Sequence, residues 1–200
     1  MRSRSWLVLL AAIVIPALPS NLRAQVPAAP PPERALAVAP DILAAAYVKD
    51  HTLLDSLKIA KRAGTSVHAV VDGFESTVDS SNVDVWIKGI TKRIDTYTTA
   101  IQKRGFGKIA GSYTIKGGDS CLYVGSKRAR LVQTGFMLTL EKGTPDSTHT
   151  AHHGVIVQST VVIEDSRAPG RLLVGTAANG TIELTESKSP CRILMTATSP

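Results

Sequence analysis

The sequence predicts an α+β protein: an N-terminal helical segment of two to three helices, followed by a mostly antiparallel β-barrel or β-sandwich of about seven strands. Three observations carry this. Trp86, Ile90, Ile94, Tyr97 and Ile101 recur at i, i+4, i+8, i+11 and i+15, the apolar stripe of a helix over 83–103. Val132, Thr134, Phe136, Leu138 and Leu140 alternate with Gln133, Gly135, Met137, Thr139 and Glu141, the period of a strand with one face inward. The apolar runs of the C-terminal half are joined by segments too short for the crossover helices that parallel strands need.

The chain opens with a targeting signal. Arg2 and Arg4 precede the apolar run Trp6–Leu18, and Leu22-Arg23-Ala24 before Gln25 offers a small-residue cleavage site, so residues 1–24 read as a signal peptide of bacterial type. The thirteen-residue run is broken by Pro16 and falls short of the roughly 20 residues of a membrane-spanning helix. No cysteine near the cleavage site could carry a lipid. Export to the periplasm or the extracellular space follows, with no integral membrane segment after cleavage. Residues 25–40 hold five prolines between Val26 and Pro40 and read as an extended Pro/Ala-rich linker.

The helical region spans 41–105. Asp41 to Ala63 carries Leu43, Tyr47, Leu54 and Leu57 near one stripe, and Gly64 after Lys61-Arg62-Ala63 is a C-terminal cap. Thr65 or Ser66 caps an expected second helix through Val67, Val70, Val71, Phe74 and Val78. Asp79-Ser80-Ser81-Asn82 interrupts it, and Ser81 with Asp84 is spaced as a capping box for the third helix. The stripe from Trp86 to Ile101 needs cover. Other elements of the chain are the ordinary cover; a second chain would make this an assembly protein pairing through 83–103.

The β-domain spans 106–200. Strands are expected at 109–115 and 121–124, and residues 155–163 (VIVQSTVVI), apolar on both parities, suit a central strand covered on both faces. Asn179-Gly180 is a two-residue hairpin turn that pairs Ala177 with Ile182 and Gly175 with Leu184. Cys191, Ile193, Met195 and Ala197 share one face of the last strand. Two cysteines in an exported chain imply one disulfide, Cys121–Cys191, tying an early strand to the last. A loop of that length stabilises by roughly 4 kcal/mol in the chain-entropy model.

Charge excludes one class of partner. The net charge of +7 falls to +4 once three arginines leave with the signal peptide, and the remaining charges are spread evenly. Nucleic-acid binding needs clustered cations, and aromatics for stacking are only 4% of the chain. The densest basic run, Lys127 to Arg130, reads as a solvated strand edge.

Two chemical signals remain. STHTAHHG, residues 147–154, holds His149, His152 and His153 as candidate metal ligands. On a strand His149 and His153 share a face about 13 Å apart while His152 points the other way, so the stretch reads first as the polar end of a hairpin. Gly118-Asp119-Ser120 matches a serine motif of hydrolases, yet lies in antiparallel sheet fewer than 30 residues from His149 rather than after the first strand of an α/β fold. No phosphate loop, HExxH, calcium loop or paired-cysteine zinc signature occurs, and no cofactor is implied. The expected function is a non-catalytic binding or interaction module of the cell envelope or extracellular space, for a small ligand or a protein partner. The alternatives are an assembly protein, or a hydrolase using Ser120 with a histidine of 149–153.

Overall fold

A computed structural model describes residues 26–116, 128–142, 152–166, 168–186 and 191–198. Helices α1 (Pro32–Ala37) and α2 (Pro40–Ala63) come first. A hairpin of β1 (Val67–Val71) and β2 (Phe74–Val78) separates them from α3 (Val83–Arg104). Eight strands follow: β3 (Gly111–Lys116), β4 (Arg128–Thr134), β5 (Met137–Lys142), β6 (His152–Val157), β7 (Thr160–Glu164), β8 (Leu172–Ala178), β9 (Thr181–Glu186) and β10 (Arg192–Ala197).

Helix α2 has the ends its sequence requires. Pro40 needs no N–H in the first turn, Lys61 and Arg62 lie in the last, and Gly64 adopts φ 67° while its N–H bonds to Ala60 O. Helix α3 starts differently from the expected capping box. The Asp79 carboxylate accepts from the Ser81 N–H at 2.8 Å and the Ser81 hydroxyl at 2.5 Å, and Asn82 Oδ1 accepts from the Asp79 N–H. Asp84 instead receives Lys61 of α2 at 2.6 Å.

The expected second helix is a hairpin. Val71 pairs with Phe74 around Asp72-Gly73, both at positive φ (50° and 79°), the geometry of a type I′ turn. The i, i+3, i+4 spacing of the valines is coincidental; their β-branching and the Asp-Gly pair decide the outcome. Residues 26–39 also depart from an extended spacer. Val26 lies against Gly89 so closely that a Cβ there would stand 2.8 Å from Val26 Cβ. Arg104 donates to the carbonyls of Leu36 and Val38, and Ala35 is buried.

The strands close a barrel in the order β10-β3-β4-β5-β6-β7-β8-β9, every pair antiparallel. Barrel, not sandwich, is the architecture, with eight strands where about seven were expected. The register of β8 and β9 places Ala177 opposite Ile182 and Gly175 opposite Leu184, as Asn179-Gly180 requires. Two expected single strands are hairpins. Gly135 (φ 61°) divides β4 from β5, and Gln158 (φ 57°) with Ser159 divides VIVQSTVVI into β6 and β7. Coverage of that segment on both faces holds: Ile156, Val161 and Ile163 point into the barrel, while Val155, Val157 and Val162 point outward under the helices.

The interior is packed with side chains, Leu131, Leu138, Leu140, Leu184, Ile193 and Met195 among them, as an eight-stranded barrel allows. Helix α2 lies across β6, β7 and β8, and α3 packs on α2 and α1. Trp86, Ile90, Ile94, Tyr97 and Ile101 are therefore core residues, covered by other elements of the same chain. Among the described residues no helix is long and apolar enough to cross a membrane.

Candidate functional site

The two ends of the barrel differ. At one end the turns Gly135-Phe136, Gln158-Ser159 and Asn179-Gly180 are two residues each. At the other, the longer connections leave β3, β5, β7 and β9. GGDSC and residues 147–151 belong to two of these connections; Cys121, Ser120 and His149 lie outside the described residues. Cys191 is buried beside the start of β10, and its carbonyl accepts from the Glu186 N–H.

The β6 alternation sends the remaining two histidines of the candidate metal set apart. His152 turns inward and is buried; His153 turns outward and is exposed. His152 Nδ1 faces the Ser166 N–H and Oγ, both at 3.3 Å, and Asp165 Oδ1 at 3.6 Å. Serine and aspartate thus address the same ring nitrogen, whereas a catalytic triad places them on opposite ones. Arg171 completes this rim with a bidentate pair to Glu186 at 2.9 and 2.8 Å. Among the described residues no three His, Cys, Asp or Glu side chains are gathered closely enough to hold a metal ion.

A concave feature with both apolar and polar lining lies outside the barrel, between α2 and the wall formed by β5, β6 and β7. It is a groove of ≈ 260 Å³. Helix α2 presents Tyr47, Val48, His51, Thr52 and Asp55, which share one face at helical spacing; the outward positions Met137, Thr139, His153 and Val155 supply the opposite wall. Tyr47 is fixed edge-on to Phe136, ring centres 5.3 Å apart, with the His51 ring 5.9 Å away. Burial holds the Tyr47 phenol above its ordinary pKa, so it stays a neutral donor. His51 Nδ1 stands 3.5 Å from Asp55 Oδ2.

Gly154 belongs to this lining for a steric reason. A Cβ there would overlap the carbonyl oxygen of Val162 and stand 2.9 Å from Ile163 Cα, so only glycine lets β6 and β7 approach as they do. At the end of the groove Glu164 is buried, accepting from the Thr52 hydroxyl and, at 2.6 Å, from the Gly170 N–H. Thr52 and Glu164 also border a second, more open cleft of ≈ 780 Å³ between α2, the β1–β2 hairpin and the β7–β8 connection. Its polar base is committed to structure: Arg93 Nε bonds Asp50 at 2.7 Å, Nη1 bonds Asp72 at 2.8 Å and Nη2 bonds the Tyr97 hydroxyl at 3.0 Å.

His51 carries no convergent partner in the linear sequence, yet the fold sets it and His153, a hundred residues later, on one groove. The sequence offers a hint only on the helix side, in the i, i+4 pairs Tyr47–His51 and His51–Asp55. No protein-family model matches the chain, and neither a curated protein nor a solved structure is significantly similar to it.

Proposed function

We propose that the protein is an exported, non-catalytic binding module that holds a small ligand in the groove between α2 and the barrel wall. The observation that carries this reading is the groove itself: an apolar bed of Tyr47, Val48, Met137 and Val155, with His51, Asp55, His153 and Glu164 around it. A site in the barrel lumen is not favoured, because side chains fill it. Export is supported by Arg2, Arg4 and the apolar run that follows. A Cys121–Cys191 disulfide suits that compartment. Lys116, five residues before Cys121 in the sequence, pairs with Leu194, three residues after Cys191.

The test is a solution NMR screen of small amphiphiles on the secreted chain, repeated with Thr139→Trp, which fills the groove from the β5 side. Saturable shifts at Val48 and Val155 that the variant abolishes would support the reading; shifts confined elsewhere would refute it. Mass spectrometry of the same material should show a chain starting at Gln25 and no alkylatable thiol before reduction.

A hydrolase using Ser120 with a histidine of 149–153 keeps one support: the β3–β4 and β5–β6 connections leave the same end of the barrel. Ser120→Ala would have to abolish turnover of ester substrates for that reading to replace the first.

A further inference from the structure

We infer that the ligand of this groove is a small organic cation, an ammonium head on an apolar body about the size of one aromatic ring. The inference rests on the groove being the binding site. Its first ground is charge. The chain is basic overall, yet among the described residues the groove is lined by two carboxylates, Asp55 and Glu164, and by no lysine or arginine. Lys58, which is not in the lining, stands 4.0 Å from Asp55 on the helix surface. An anionic ligand would meet like charge on desolvation, whereas an ammonium would meet two acceptors.

The second ground is that the carboxylates have capacity left. Glu164 accepts one hydrogen bond on each oxygen, from Gly170 and Thr52, and each oxygen has a further lone pair. Those two bonds also hold it rigid, so a ligand would not have to order it. Asp55 is half-exposed at the mouth, able to meet a cation on entry. The third ground is size: cavities of about 150 Å³ take benzene, and ≈ 260 Å³ leaves room for a ring with a short ammonium arm. Tyr47 offers an aromatic side chain in the same lining, the group that attracts organic cations.

The experiment titrates three matched probes, 2-phenylethylamine, 2-phenylethanol and 3-phenylpropanoate, into the secreted chain at pH 8 and low ionic strength, read by NMR at Val48 and Val155. The amine should bind about tenfold more tightly than the alcohol, and the carboxylate should not bind. Asp55→Asn, an exposed substitution whose fold is checked by its melting curve, should reduce the preference for amine over alcohol severalfold. Equal binding of amine and alcohol, or binding of the carboxylate, would overturn the inference while leaving the groove as the site. If none of the three gives saturable shifts that Thr139→Trp removes, the binding-site reading itself fails.

Discussion

Arg93 of α3 and Asp50 of α2 form a 2.7 Å ion pair with side chains only 1% and 7% exposed. The guanidinium extends the connection to Asp72 in the β1–β2 turn and, at 3.3 Å, to the carbonyl of Ala28. One side chain therefore ties together the N-terminal segment, both long helices and the hairpin. Removing it leaves Asp50 buried without its cation. Arg93→Met should destabilise by about 3–5 kcal/mol, measured as a lowered midpoint in urea with an unchanged slope. A loss under about 1 kcal/mol would mean that water reaches Asp50.

Two aspartates should respond to pH in opposite senses. Burial raises the Asp50 pKa, with Arg93 only partly offsetting it. In the interval between its ordinary and raised values the folded state holds more proton than the unfolded, so this group's contribution to stability is complete below the ordinary value and falls as pH rises through the raised one. The stability difference between wild type and Asp50→Asn should thus be most favourable to wild type at the acid end and shrink toward neutrality. Asp79 is the reverse. Hydrogen bonds from Ser81 lower its pKa, so its contribution is present above the ordinary carboxylate value and lost as pH falls through the lowered one. Asp79→Ala should melt below wild type at pH 7, and the gap should close in acid; a gap independent of pH would contradict this.

Gly154→Ala should be severe for a strand glycine. The added methyl meets backbone of Val162 and Ile163, which cannot swing away, as well as Ile163 Cγ1. The cost should reach or exceed the upper end of about 1–3 kcal/mol typical of overpacking, read from urea denaturation. Gly180→Ala gives a contrast: its Cβ would stand 3.5 Å from Ala197 Cβ, an ordinary contact, so only the strained positive φ of 72° is charged against it. That loss should stay within about 1–2 kcal/mol.

Ile90 separates a core role from an intermolecular one. It is fully buried in the monomer under the helical layer. Ile90→Ala should cost about 2–5 kcal/mol, while sedimentation of the folded wild type should give a monomer at all concentrations. A wild-type dimer that the substitution dissociates without loss of stability would restore the assembly reading.

What the sequence alone determined was local. Helices α2 and α3 declare themselves through stripes and glycine ends, and the Asn179-Gly180 hairpin through two residues that tolerate positive φ. The inward face of β10 follows from strict alternation of Cys191, Ile193 and Met195. Where local signals conflict, the pattern misleads: valines at helical spacing conceal the Asp72-Gly73 turn, and an unbroken alternation runs through Gly135. Only the tertiary structure decided closure of the barrel by β10 on β3, the filling of its lumen, and the placing of His51 and His153 on one groove. Turn and helix signals act over a few residues of one chain segment. Closure and the groove depend on strand count, register and the seat of α2 on the wall, set by burial summed over residues far apart in sequence, which no short stretch encodes.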